Sequence, residues 1–279
     1  MRKLINNNHH VLKVRDLNVK VKSDQGMLPL VQDLQLELKR GKVLGLVGES
    51  GSGKTMTCMS ILQLLDRKTT CIEGSIQLQG RELNGLKAED MRTIRGREIG
   101  YIMQNPMNAF SPVFTIGNQF IETIRTHTEL TKRQAFELAV ASMETVHLPK
   151  PSELMRRYPF QLSGGMLQRV MIAISMCLRP SVVIADEPTT ALDVTNQLQV
   201  LKELDRLRLE SDSAILLISH DLGVIAELAD EVAVMHKGRI VEKADVFQLF
   251  DHPQHEYTKK LLQARPTLPI HEQAREFAL

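Results

Sequence analysis

Residues 43–55 read VLGLVGESGSGKT: an apolar run, then an octapeptide that fits G-x-x-x-x-G-K-[ST] at Gly48, Gly53, Lys54 and Thr55. No other feature limits the fold so strongly. Around Glu49 the loop is built from small residues (Gly48, Ser50, Gly51, Ser52 and Gly53), which let successive backbone N–H groups turn inward and surround phosphate oxygens. Lys54 can reach the outer phosphates of a nucleotide, and the Thr55 hydroxyl suits a Mg²⁺ ligand. Such a loop needs a buried strand before it and a helix after it whose N-terminus faces the anion. VLGLV and TMTCMSILQLL supply both.

Three further apolar runs, Ile99–Met103 (IGYIM), Val182–Ala185 (VVIA) and Ala214–Ser219 (AILLIS), are short, rich in Val and Ile, and separated by helical periodicity. That pattern predicts a parallel sheet with crossover helices. GSIQLQG at 74–80 reads as a hairpin arm, and 231–245 as two strands around a Lys237–Gly238 turn. Residues 117–158 change to helical texture. Within them, 131–146 carries Ala135, Leu138, Ala139, Met143 and Val146 on one face behind Thr131 as N-cap. The chain is expected to divide into 1–105 (antiparallel strands and the first part of the α/β core), 106–170 (helical), 171–250 (the rest of the core) and 251–279 (an appendage).

The strand SVVIADEP at 181–188 ends in two carboxylates. Asp186 stands where a Mg²⁺-holding aspartate belongs, and Glu187, one residue beyond, is placed to polarise an attacking water. Composition removes other classes. The chain has 35 Lys plus Arg against 33 Asp plus Glu, a formal charge of +2, which argues against a phosphate-tracking nucleic-acid binder. Its three cysteines are scattered at 58, 71 and 177, so no disulfide framework is expected and a reducing compartment is. The basic start has no apolar stretch of the secretory kind behind it. No run approaches the ~20 apolar residues that span a bilayer, so a tie to a membrane is expected to run through a partner.

LSGGMLQR at 162–169 narrows the class of phosphate loop. It resembles the signature motif of ABC ATPases, and other stations of that family follow in order: Gln104 in YIMQNP, ALD at 191–193, and His220 in SHD at 219–221. The resemblance covers about residues 43–245. It implies the ABC ATPase form of the P-loop NTPase fold: an α/β, RecA-like core sheet with an N-terminal antiparallel β subdomain and an inserted α-helical subdomain. It implies ATP and Mg²⁺ as ligands. Glu187 would then be general base, His220 would contact the γ-phosphate, and Gln104 would sense Mg²⁺ and water. Asp193 would link two sites, and Ser163, Gly164 and Gly165 would close on a nucleotide held by a second subunit. SGG standing before a helix gives that last role a physical basis, an anion site at a helix N-terminus.

Within the family, IADEPTTALDV, YPFQLSGGM and HPQHEYTKKLLQA at 252–264 resemble the nickel/peptide import branch. The resemblance implies a second, homologous ATPase subunit, two integral membrane permeases, an extracytoplasmic substrate-binding protein, and a place on the cytoplasmic face of the membrane. Peptide-type members carry a cysteine cluster in the C-terminal extension and usually Arg where Leu167 stands. Here the last cysteine is Cys177. Nickel or a nickel chelate is therefore the expected solute, with di- or oligopeptides as the alternative; a soluble, non-transport ABC ATPase is the remaining reading. The usual adenine-stacking ring is also absent, because no Phe, Tyr or Trp precedes Tyr101; pattern alignment puts Val21 in its place.

Overall fold

The computed structural model describes residues 10–24, 26–189 and 194–264. Two fourteen-residue strands, β1 (His10–Ser23) and β2 (Gly26–Lys39), pair antiparallel. β3 (Val43–Val47) runs through the glycine-rich loop into α1 (Lys54–Ile61). β4 (Thr70–Leu78) returns beside β1 with the short β5 (Arg81–Glu82) on its edge, and α2 (Ala88–Ile94) leads to β6 (Ile99–Ile102). Four helices follow: α3 (Ile116–His127), α4 (Lys132–Thr145), α5 (Pro151–Leu154) and α6 (Gly164–Met176). The chain re-enters the core with β7 (Val182–Asp186), α7 (Val194–Ser211), β8 (Ala214–Ile218) and α8 (Leu222–Leu228). The hairpin of β9 (Glu231–His236) and β10 (Arg239–Asp245) precedes α9 (Val246–Asp251) and α10 (Glu256–Gln263). No helix among the described residues is long and apolar enough to cross a membrane.

The strands form two sheets. One is antiparallel, in the order β2-β1-β4-β5; the other runs β10-β9-β3-β8-β7-β6, parallel from β6 to β9 with β10 antiparallel at its edge. Every residue of β3, β7 and β8 is buried, which is why these segments are unbroken apolar runs and not alternating ones. Successive side chains serve opposite faces. Val43 and Val47 join the core shared with the helices, while Leu44 and Leu46 join the core shared with the antiparallel sheet. The carboxyl ends of β3, β8, β7 and β6 lie side by side, so whatever follows each strand collects in one crevice, where ligands of open α/β sheets bind.

The expected local signals hold. Thr131 caps α4, accepting from Gln134 N–H while the Gln134 side chain reaches back to the Thr131 N–H. Ala135, Ala139, Met143 and Val146 are buried and Leu138 is half-buried. Lys237 and Gly238 both have positive φ (46° and 83°), the two-residue turn whose twist suits a hairpin. The segment after Asp251 packs back onto the core: Thr258 is fully buried and Tyr257 reaches the glycine-rich loop.

Candidate functional site

The loop between β3 and α1 is held from both sides. Ser52 O accepts from Gly238 N–H at 2.9 Å, which ties the loop to the β9–β10 turn, and β2 passes along its other side. Gly53, with φ +110°, leaves no room for a side chain: a Cβ would stand 2.7 Å from Met235 Cε and 2.8 Å from Leu30 O. Gly53→Ala therefore combines backbone strain with a clash against main chain. At ~1–3 kcal/mol for such strain, it is expected to lower the melting temperature by ~2–10 °C in a calorimetric scan. Lys54 is 7% exposed, and its ammonium donates to Gly48 O (2.7 Å) and Glu49 O (2.9 Å). Burial pulls its pKa below the ordinary lysine value, against the opposing charges of Glu187 and Asp186.

Asp186 ends β7 and is buried; the Tyr101 hydroxyl donates to its Oδ2 at 3.4 Å. Burial first, and then the neighbouring Glu187 charge, raise its pKa above the usual aspartate range, while Tyr101 and Lys54 act the other way. Glu187 leaves the strand with φ +49°, its N–H donating to Ile218 O at 2.9 Å. That turn swings the carboxylate across the crevice. Gln104 Nε2 donates to Glu187 Oε2 at 2.6 Å, and His220 Nδ1 lies 2.9 Å from Oε1. Gln104, Glu187 and His220, which the sequence scatters over more than a hundred residues, thus form one hydrogen-bonded group beside the loop. Thr55 at the head of α1, the Asp186 carboxylate and the Gln104 amide oxygen offer hard oxygen donors, the class Mg²⁺ takes. Two adjacent carboxylates, one of them buried, concentrate negative charge that a divalent cation would neutralise, so the residues fit that ion.

Ser163 is the N-cap of α6, its Oγ accepting from Met166 N–H at 3.3 Å. It is exposed, as is Gly164, and a Cβ at Gly164 would meet open space. Among the described residues no hydrogen bond joins Ser163, Gly164 or Gly165 to the glycine-rich loop. Asp193 lies outside the described residues. One residue escaped the sequence reading. The Tyr257 hydroxyl accepts from Glu49 N–H at 3.1 Å, and its ring lies 3.9 Å from the His236 ring, tilted by 31°. Tyr257 and Leu261 at i, i+4 spacing were the available signal, a helix face with something to cover.

Residues 31–190 match the family model described as "ABC transporter". Glutathione import ATP-binding protein GsiA of Escherichia coli (strain K12) is 43% identical over 265 residues, covering 93% of this chain and 42% of that protein. The GsiA of Shigella boydii serotype 4 (strain Sb227) matches to the same extent. The chain thus spans about two fifths of the length of the curated relatives it matches. Among solved structures, the dimeric post-hydrolysis state of the ATP-binding cassette MJ0796 bound to ADP and Pi superposes with a TM-score of 0.75 at 22% identity, over 84% of this chain and 98% of that one. CbiO1 from Clostridium perfringens, part of the ABC transporter complex cbiONQ, gives 0.73 at 22% identity over 88% and 92%. These two share the fold: a P-loop α/β core with an antiparallel β layer. Since the family model spans more than half of the residues and both carboxylates of the site fall inside it, the chain belongs to the ABC transporter family.

Proposed function

We propose that this chain is the ATP-binding and ATP-hydrolysing subunit of an importer, that it works as a pair with a second ATPase subunit, and that its solute is a small peptide. The observation that carries the hydrolytic reading is the Gln104–Glu187–His220 group at the mouth of the glycine-rich loop. Backbone N–H groups of the glycine-rich loop and Lys54 hold the phosphates of ATP. Thr55, Asp186 and Gln104 would hold Mg²⁺, which when bound neutralises phosphate charge. Glu187 takes a proton from water as the water oxygen bonds to the γ-phosphorus. The bond to the β,γ-bridging oxygen breaks, and ADP and phosphate leave. His220 holds both the carboxylate and the γ-phosphate, and Asp193 links the two composite sites of the pair.

The peptide reading replaces the nickel one. The GsiA relatives are named for import of glutathione, itself a small peptide, and they match over nearly the whole of this chain. The missing cysteine cluster and Leu167 favoured nickel, but both lie on a subunit the solute does not touch. Docking on membrane permeases is supported by a groove of about 280 Å³ between core and helices, lined by Met103, Phe110 and Met171 together with Gln119, Glu122 and Thr123. Val113 and Phe114 stand exposed on the stretch between β6 and α3. An extracytoplasmic binding protein would deliver the solute, and the chain would sit on the cytoplasmic face. Uptake of labelled glutathione, labelled dipeptides and radioactive nickel in cells with and without the gene tests the reading. Loss of peptide uptake is expected; loss of nickel uptake alone would restore the nickel assignment.

Adenine recognition gives a second test. Val21 is half-buried in β1 and pairs with Leu28, which is 53% exposed, on the strand that passes the loop at Leu30. The base therefore meets an aliphatic surface. Stacking on a ring contributes ~1–3 kcal/mol, so its absence weakens ATP binding by the monomer roughly five- to 150-fold and leaves ATP and GTP poorly distinguished. Val21→Tyr should tighten ATP binding in a fluorescence titration. A strong preference for ATP that Val21→Tyr does not change would mean that another surface holds the base.

A further inference from the structure

Away from the nucleotide site, α2 and the loop after it meet the C-terminal end of α3 across an open cleft of about 530 Å³. Arg92 and Arg97 line it from one side, Arg125 and His127 from the other, and Glu129 is the one carboxylate among the described lining residues. Some arginines elsewhere pair with acids, as Arg239 does with Asp33 and Arg133 with Glu137. Among the described residues the side chains of Arg92, Arg97 and Arg125 make no ion pair and no hydrogen bond. A basic residue in the last turn of a helix complements the helix dipole. That accounts for Arg92 on α2 and for Arg125 and His127 on α3 taken singly. It does not account for two helix ends converging, with Arg97, on one concavity.

The convergence is built into the backbone. His127 closes the floor of the cleft against Gly96, where a Cβ would stand 2.7 Å from Nε2; with φ +82°, Gly96 also holds a conformation that side chains rarely adopt. The local field is correspondingly uncompensated: burial, and then the charges of Arg92 and Arg97, hold the imidazole below its ordinary pKa. Guanidinium forks match the oxygens of a phosphate group, often two bonds to one fork. We infer that the cleft lined by Arg92, Arg97, Arg125 and His127 is a second anion site, distinct from the glycine-rich loop, that takes a phosphate-bearing ligand. Its walls come from the core side (92–97) and from the helical insert (125–130), so the bound anion ties the two together.

The test uses the full chain and inorganic pyrophosphate as probe, by isothermal titration calorimetry at low ionic strength. The wild type should show two classes of site. Lys54→Ala removes the loop's share and leaves the other. Arg97→Ala/Arg125→Ala, both exposed and so harmless to folding, weakens the second class at least tenfold, and raising the salt weakens it further. The His127 ring resonances should shift on addition of pyrophosphate to Lys54→Ala, and should not shift in the chain that also carries the arginine substitutions. Vesicles of phosphatidylcholine with phosphatidylglycerol identify the source of the phosphate. Arginine-dependent flotation with them assigns a lipid headgroup, and its absence beside pyrophosphate binding assigns a free solute. Binding by the wild type that the double arginine substitution leaves unchanged, with no arginine-dependent flotation, overturns the site.

Discussion

Glu187→Gln is expected to keep ATP bound while lowering hydrolysis by at least ~10², the usual scale of losing a general base. The geometry makes this a clean substitution. Glutamine fills the same space, and its amide can still meet Gln104 and His220, at 2.6 and 2.9 Å in the native group. What disappears is the negative charge and the ability to take a proton. The same change removes one of the two causes that raise the Asp186 pKa, so Asp186 should ionise more readily and ligand binding should not suffer. With the partner subunit present, the variant should accumulate as a closed, nucleotide-filled pair by size-exclusion chromatography. Near-normal turnover would move the base to another residue.

That group shows where sequence reasoning reaches and where it stops. Glu187 was legible because it stands at the end of an apolar strand, and Gln104 and His220 through the family motifs YIMQNP and SHD; the strands before them, β6, β7 and β8, are buried runs that cannot be mistaken for surface. Strand adjacency was legible only as a parallel sheet, not as the order β3-β8-β7-β6 that lines their ends up. The hydrogen bonding was not legible at all. It depends on Glu187 taking φ +49°, a conformation that a glutamate does not advertise and that its N–H bond to Ile218 O stabilises. The long β1–β2 ribbon was only partly visible, because register shifts at Val14/Leu17 and Leu17/Val19 interrupt the alternation that marks a half-buried strand.

The packing of the tail was not legible for a related reason. A short segment with Pro and His and only a few apolar residues has the composition of an appendage, and its partners are remote in sequence. Tyr257 lies 208 residues from Glu49, yet its hydroxyl occupies one of the loop's backbone donors. The loop is therefore braced by three separate strips of chain: β2 through Leu30, the β9–β10 turn through Gly238, and α10 through Tyr257. Bracing of this kind holds a run of inward-facing N–H groups in place before the phosphate arrives.

Ser163→Arg is expected to leave this subunit's own ATP binding unchanged within about threefold while lowering hydrolysis at the opposite site by ~10² or more, the scale for losing a preorganised anion donor. The reason is spatial. Ser163 caps α6 on an exposed surface, with no hydrogen bond among the described residues to the loop that would hold this chain's own nucleotide. Ser163 and Gly164 are exposed, and in the proposed pair the phosphate that the hydroxyl, the glycine N–H groups and the α6 N-terminus suit would belong to a second subunit. Losing the cap costs ~0.5–2 kcal/mol, which α6 can withstand because Leu167, Val170, Ile172 and Ala173 anchor it in the core. A companion variant separates damage to the helix from damage to the site. Ser163→Asp keeps a capping oxygen and suits the helix dipole, yet sets a negative charge against the incoming phosphate. Both variants should bind ATP in the isolated chain, measured by fluorescence titration, and both should fail in the assembled pair. If Ser163→Asp hydrolyses normally with its partner, or if Ser163→Arg loses its own ATP while remaining folded, the signature segment serves the chain that carries it.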